Sequence, residues 1–128
     1  MNIRDKSLKS LEYDKIRENL SNFAKIPQSK LLCQNLIPFD NIIRINKELQ
    51  YTREAKFILD IPSELPIDFV ADIKAVKNNL GGSFLSEEEL IDVAKTLRTS
   101  RLVKNFLSNN LDENSALWQD AQNLLSDK

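Results

Sequence analysis

The amino-acid sequence predicts an all-α fold, an irregular bundle of about five to six helices of which two are long. Apolar residues recur at intervals of three or four through most of the chain, the spacing of amphipathic helices. The 128 residues include only two glycines and four prolines, which leaves few places for tight turns. No segment alternates apolar and polar residues for long enough to predict a β-strand.

Length and composition favour a single helical domain over residues 1–128, because this length allows one hydrophobic core but is short for two. The charged content of 29% and the hydrophobic content of 41% are typical of a globular protein. No run approaches the roughly 18 apolar residues of a membrane span, and the first residues lack the apolar stretch of a signal peptide. We therefore expect a cytoplasmic protein without membrane contact.

The first third of the chain predicts two helices. The first covers about residues 11–25 and ends because Pro27 disfavours helical geometry at the residue before it. Ser29 is predicted to cap a short second helix that carries Cys33 and ends before Pro38. Since the chain has no histidine to activate its single cysteine, we interpret Cys33 as a packed small residue.

A long third helix is predicted from a cap at Asp40 to about residue 59 or 60. Its apolar face follows helical spacing through Ile42, Ile45, Leu49, Thr52 and Leu59. The prolines and polar residues at 61–68 then predict a loop. Asp68 is predicted to cap a shorter fourth helix that Gly81 closes.

The strongest signal for a single element lies at residues 85–110. Ser86 and Glu89 have the spacing of a capping box, which predicts a helix start, and Leu85 and Leu90 are placed to form a hydrophobic staple over that first turn. Acidic residues at the start and basic residues further on match the helix macrodipole. After a polar turn at 112–115, a last helix is predicted that carries Leu117, Ala121, Leu124 and Leu125.

The apolar residues of this central helix change side along its length. At about 100° per residue, the apolar residues near the start of the helix share one side of it, and those near its end lie on roughly the opposite side. The sets are Leu90, Val93, Ala94 and Leu97, and then Leu102, Val103, Phe106 and Leu107. We interpret the helix as a strut with a different partner at each end; a kink near residues 99–101 is the alternative.

The sequence carries no recognisable catalytic, cofactor-binding or metal-binding residues. It has no histidine and one cysteine, which argues against a zinc site. A phosphate-binding loop requires Gly-x4-Gly-Lys-Ser/Thr, whereas Gly81 and Gly82 are followed by serine and phenylalanine. The net charge of -1 does not indicate a nucleic-acid-binding domain, so any such contact must be local.

The central helix supplies the candidates for nucleic-acid or partner contact: Lys95, Arg98, Arg101, Lys104 and Phe106. Lys95, Arg98 and Lys104 could contact a phosphate backbone. A solvated helix face is the commoner meaning of such spacing. Arg101 lies on the arc of the first apolar set, so it could extend along the edge of the core or pair with a carboxylate of a neighbouring helix. Phe106 belongs to the distal apolar set that a partner could cover.

Four segments together resemble the N-terminal region of the MutS type-two proteins, which are relatives of the mismatch-repair MutS ATPases. The segments are LEYDKI at 11–16, DIK at 72–74, LSEEEL at 85–90 and LRTSRLVKNFL at 97–107. The resemblance covers about residues 7–107. It implies a helical core and lever domain, and we expect the chain to be an N-terminal fragment of a longer protein.

The resemblance also implies what the longer protein does. Members of the family couple a distant ATPase dimer, which uses ATP and Mg, to a clamp that binds branched DNA or collided ribosomes. They act in recombination and repair control or in ribosome quality control, and many carry a C-terminal Smr endonuclease domain. The expected partners are therefore DNA or the ribosome, the ATPase and clamp domains of the same chain, and a second subunit.

Two hypotheses follow. In the first, the chain is a core and lever segment that is not itself an enzyme and that couples nucleotide state to grip on a target. In the second, it is a stand-alone helical adaptor that binds a partner protein through the distal apolar set of the central helix.

Overall fold

The computed structural model describes residues 3–72 and 84–124, with side chains described from residue 5. Over these residues the chain forms six α-helices and no β-strand, which confirms the all-α prediction. The helices are α1 Ile3–Ser10, α2 Tyr13–Phe23, α3 Pro27–Gln34, α4 Ile42–Leu59, α5 Glu87–Asn110 and α6 Ala116–Gln122. The two long helices expected from the sequence are α4, with 18 residues, and α5, with 24.

The chain divides into two compact units. The first, Met1–Pro38, contains α1, α2 and α3, and the second, Phe39–Lys128, contains α4, α5 and α6. The single domain over residues 1–128 stays a prediction.

The first unit contains one helix that the sequence did not predict. α1 is followed by a turn in which Glu12 adopts φ 52, a left-handed conformation, so α2 begins only at Tyr13. The Glu12 carboxylate lies 2.7 Å from Lys15 Nζ, one turn into α2. The predicted helix over 11–25 is thus α2, shortened at both ends. α1 went unpredicted because its mostly polar residues carry little helical periodicity.

α3 begins earlier than predicted because Pro27 occupies its first turn. Proline suits the first helical position, since its φ is already helical and it has no N–H to leave unpaired. Ile26 precedes the helix in extended conformation and contributes no side-chain cap. The prediction that Ser29 caps this helix is wrong, since Ser29 lies inside the first turn.

α4 is capped one residue later than predicted. The Asn41 side-chain oxygen accepts hydrogen bonds from the amides of Ile43, at 2.9 Å, and Arg44, at 3.1 Å. Asp40 is therefore not the cap, although the predicted end of the helix at residue 59 is confirmed. Asparagine and aspartate cap helices about equally well, so residue type could not separate the two neighbours.

The segment after α4 is not helical as far as it is described. Residues 68–72 form no helix, so the prediction that Asp68 caps one is wrong; residues 73–83, including Gly81, lie outside the described residues. Instead, the amide of Ala71 donates to Thr96 Oγ1 on α5 at 3.0 Å. This amide is paired with a side chain of α5 rather than with a carbonyl of its own turn.

The start of α5 confirms the capping box. The amide of Glu89 donates to Ser86 Oγ at 3.2 Å, and the amide of Ser86 donates to Glu89 Oε2 at 2.8 Å. The accompanying staple is less complete, because Leu85 is half-buried and Leu90 is exposed. The helix is roughly 36 Å long at 1.5 Å per residue.

α5 buries one broad face rather than two opposite ones. Its buried residues are Thr96 and Thr99, which lie on the same side of the helix as the distal apolar set, whereas Leu90, Ala94 and Leu102 are exposed. The half-buried Val93, Leu97, Val103, Phe106 and Leu107 flank the threonines. The expectation of opposite apolar faces is therefore wrong.

The Thr96 hydroxyl is tolerated in this buried face because it is hydrogen-bonded. It donates to the backbone carbonyl oxygen of Asp92 at 2.8 Å.

The second unit packs α6 against both α4 and α5. The buried apolar residues of the described chain both belong to this unit: Ile58 of α4, 3% exposed, and Ala121 of α6, 2% exposed. Many larger apolar side chains stay exposed. Polar contacts must therefore contribute much of the specificity with which these helices dock.

Replacing Ser86 by alanine is expected to lower the free energy of unfolding by about 1 kcal/mol, because the first turn of α5 loses a side-chain acceptor for one of its amides. Urea denaturation followed by circular dichroism measures the change. The exposed Ser63, which lies in the loop after α4, provides the control variant Ser63→Ala. Equal stability of the Ser86 and Ser63 variants would contradict the capping role.

Candidate functional site

Three of the predicted contact residues form an exposed basic face on α5. Lys95, Arg98 and Arg101 succeed one another at intervals of three residues, so they share one side of the helix. Lys95 Nζ lies 5.4 Å from the centre of the Phe69 ring. Neither arginine forms a salt bridge within the described chain. These cations are available to a phosphate or a carboxylate from outside.

The fourth basic candidate, Lys104, is already engaged inside the unit. Its ammonium group donates to the carbonyl oxygens of Gln122 and Leu124, each at 3.2 Å, at the C-terminal end of α6. A positive charge there complements the negative end of the helix dipole. We therefore assign Lys104 a structural contact, and it contributes less to the exposed basic face than its spacing predicted.

Phe106, the fifth candidate, is half-buried. In the same distal set, Val103 and Leu107 are also half-buried and Leu102 is 41% exposed. α6 packs against α5, and Gln122 Nε2 donates to Ser108 Oγ at 3.0 Å beside this set. A helix of the same unit thus lies along part of α5 that the sequence had suggested for an outside partner.

The N-terminal end of α6 is held by a carboxylate from α4. Glu54 accepts hydrogen bonds from Ser115 Oγ at 2.7 Å, Leu117 N at 2.8 Å and Ala116 N at 3.1 Å. The next amide, that of Trp118, donates to Ser115 Oγ at 3.3 Å. The first three amides of α6, which cannot bond within the helix, are all satisfied by side chains.

A second contact from α4 reaches the middle of α6. Tyr51, one turn before Glu54, donates its hydroxyl proton to Asp120 Oδ2 at 2.6 Å. This hydrogen bond raises the pKa of the Tyr51 phenol, with smaller contributions from burial and from nearby carboxylates. We call the side chains that hold α6 the α6 anchor: Tyr51, Glu54, Lys104, Ser115 and Asp120.

The pKa of the Glu54 carboxyl reflects two opposing effects. Burial disfavours the charged form and would raise the pKa, whereas hydrogen bonds from Leu117, Ser115, Gln50 and Ala116 favour the carboxylate and lower it. The hydrogen bonds prevail, and the pKa lies below the ordinary value of 4.5. Glu54 is therefore an ionised acceptor at neutral pH.

An open groove of about 390 Å³ lies beside the α6 anchor. It is lined by Glu54, Phe57, Asn110, Leu111, Asp112, Asn114 and Ser115. The Glu54 carboxylate that lines the groove already accepts hydrogen bonds from α6. No group of three or more potential metal ligands occurs among the described residues. The groove therefore offers no built site for a metal ion.

Sequence reasoning found the basic face but missed the α6 anchor. Ser115 had a detectable signal, because a serine just before a predicted helix start is a common cap. Glu54 and Tyr51 had none, since their partners lie 61 to 69 residues away in the sequence. Only the tertiary structure brings them together.

The chain is similar to proteins named Endonuclease MutS2. It is 32% identical to the protein from Clostridium beijerinckii over 105 residues, which are 81% of this chain and 13% of that protein. It is 33% identical to the protein from Caldicellulosiruptor saccharolyticus over 107 residues, which are 83% of this chain and 14% of that protein. It is 32% identical to the protein from Geobacillus kaustophilus over 116 residues, which are 90% of this chain and 15% of that protein.

The chain thus spans about one seventh of the length of these relatives. No family model matches it, and no solved structure shows a significant match. Within the described part of the chain, none of the helices has the length and apolar character needed to cross a membrane.

Replacing Glu54 by alanine is expected to lower the free energy of unfolding by about 2 kcal/mol at neutral pH, because amides at the start of α6 lose a charged acceptor. The effect should shrink under acid conditions. The pKa of Glu54 is lower in the folded chain than in the unfolded chain, where it is 4.5. The contribution of Glu54 to stability is therefore fully present above pH 4.5 and is lost as the pH falls through the lower pKa of the folded chain.

Urea denaturation at a series of pH values, followed by the fluorescence of Trp118, measures this difference. Trp118 is the only tryptophan of the chain and lies in α6, so it reports directly on this helix. Glu48→Ala removes an exposed carboxylate from the same helix and serves as the control. A Glu54 variant that behaves like the Glu48 variant at every pH would contradict the assigned role.

Proposed function

Because the chain belongs to the MutS type-two family, we propose that it is the helical core and lever segment of a longer MutS type-two protein. In this role it couples a distant ATPase to the binding of branched DNA or collided ribosomes. The observation that carries the proposal is the identity of 32–33% over 81–90% of the chain to three relatives, of which the matched part makes up only 13–15%.

The second structural unit has features that suit mechanical coupling. α5 is a 24-residue helix without proline or glycine, the residues that most often bend helices. Thr96 ties its middle to the segment before it, and Lys104 ties its distal part to α6. α6 is joined in turn to α4 through Glu54. A displacement of α5 is thereby transmitted to its neighbours through specific contacts.

The chemistry of the longer protein lies outside this chain in our proposal. ATP and Mg require a phosphate-binding sequence, which these 128 residues do not contain. The ATPase domain, the clamp and the endonuclease activity that the relatives' name indicates therefore belong to other parts of the protein. The second subunit of a homodimer is contacted mainly through those parts.

The exposed basic face of α5 is the proposed point of contact with the target. Lys95, Arg98 and Arg101 supply three positive charges over about 9 Å of helix. This is a small electrostatic surface, so we propose that it assists binding by the longer protein rather than determining it.

The stand-alone adaptor is the less supported alternative. It requires the distal apolar set to be open to a partner, but three of its four members are half-buried in a unit where α6 packs on α5. An accessible adaptor surface there would be limited mainly to Leu102.

Sequencing of the gene beyond codon 128 is expected to show a continuous reading frame that encodes a phosphate-binding loop of the form Gly-x4-Gly-Lys-Ser/Thr. The reason is that the matched part of the chain makes up only 13–14% of the relatives, which are therefore much longer. A stop codon directly after Lys128, with no ATPase encoded in frame, would refute the proposed role.

The isolated 128-residue chain is expected to hydrolyse no ATP and to bind a four-way DNA junction weakly and in a salt-sensitive manner. The logarithm of the association constant falls linearly with the logarithm of the salt concentration. In the double variant Arg98→Ala/Arg101→Ala this slope should become less steep by up to about 2, because up to two phosphate contacts are lost. Fluorescence anisotropy at several salt concentrations measures the slope.

The matched control is Lys6→Ala/Lys9→Ala, which removes the same charge from exposed positions in the first unit. It should leave the slope nearly unchanged. Tight, salt-resistant binding, or equal effects of the two double variants, would argue against the α5 basic face as the contact surface.

A further inference from the structure

α4 carries a row of residues that the α6 anchor does not use. We call this row the α4 seam; its members alternate in spacing between three and four, as in the a and d positions of a coiled coil, and are Ile42, Ile45, Leu49, Thr52, Lys56 and Leu59. Ile42 is 66% exposed, Leu49 49% and Leu59 76%. The seam is thus a largely exposed row about 25 Å long, apolar at four of its six positions.

The seam stays open because α4 docks through its other side. Tyr51, Glu54 and the buried Ile58 face α6 and the core. At about 100° per residue, these positions lie nearly opposite the seam. A helix could therefore pack along the seam without disturbing the α6 anchor.

The charges of the seam indicate what kind of helix fits it. Lys56 occupies a seam position and Arg53 lies beside it, both exposed. The exposed Asp60 lies one turn after Lys56, so the two cations leave the C-terminal half of the seam with a net positive charge. A second copy of α4 running parallel would place two Lys56 ammonium groups against each other. An antiparallel copy would place Lys56 in the layer of Ile45, without a charge partner. A different helix that supplies a carboxylate at this point gives the Lys56 ammonium group a charge partner.

We propose that the α4 seam binds an amphipathic helix that presents apolar residues to Ile42, Ile45 and Leu49 and carboxylates to Arg53 and Lys56. This partner surface goes beyond the proposed coupling function and does not depend on it. An interface of about two and a half heptads is short, so the affinity is modest and the facing charges determine which helices bind.

Two synthetic helical peptides of about 21 residues provide the probes. Both carry leucine at the a and d positions other than the one that faces Lys56. At that position, and at the flanking position that faces Arg53, one peptide has glutamate and the other has lysine. Fluorescence anisotropy with the 128-residue chain should show about tenfold tighter binding of the glutamate peptide, since opposite charges then meet. The variant Lys56→Glu should remove or reverse this preference.

Lys47→Glu is the matched control, because it makes the same charge change at an exposed position of α4 away from the seam. It should preserve the preference for the glutamate peptide. Trp118 fluorescence confirms that each variant is folded, and Lys56→Gln provides a milder substitution that should narrow the preference without reversing it.

Equal binding of the two peptides, binding of neither, or an equal effect of the Lys47 and Lys56 variants would overturn the proposal. Sedimentation equilibrium of the chain alone tests the competing occupant. Self-association that Leu49→Asp abolishes would assign the seam to a second copy instead.

Discussion

The Glu54 carboxylate accepts the amides of Ala116 and Leu117 at the start of α6, and the Lys104 ammonium group donates to the carbonyls of Gln122 and Leu124 at its end. A helix of seven residues is too short to be stable in isolation. Here a negative charge from α4 and a positive charge from α5 complement the two ends of its dipole. The position of α6, and with it the joining of α4 to α5, depends on these two charged side chains.

This constraint explains how the second unit can be specific with so little buried apolar surface. Ile58 and Ala121 are the buried apolar residues of the described chain, whereas Thr96 and Thr99 are buried on α5. Hydrogen bonds are directional, so contacts such as that of Ala71 with Thr96 specify a docking position more narrowly than apolar contact does. The cost is that a buried polar group without its partner destabilises the fold, so these contacts are sensitive to substitution.

Local signals allowed much of the fold to be predicted, and long-range pairing limited the rest. The Ser86 capping box and the end of α4 depend on neighbouring residues and were predicted correctly. The cap at Asn41 was missed by one residue because Asp40 is an equally good cap by type. The two-faced interpretation of α5 failed because periodicity treats threonine as polar, whereas Thr96 is buried with its hydroxyl paired. Nothing in the local sequence links Glu54 to Ser115, 61 residues later.

The apolar row of α4 shows why hydrophobic periodicity alone does not identify the docked face of a helix. The sequence indicated the side with Ile42, Leu49 and Leu59, but the helix docks through Tyr51 and Glu54 on the opposite side. Both sides are suited to contact, one through apolar area and the other through directional hydrogen bonds. Because a helix can be fixed by its polar side, its apolar side is left for a second neighbour. α4 is thereby suited to connect α6 on one side with a further helix on the other, which is what a coupling segment within a longer protein requires.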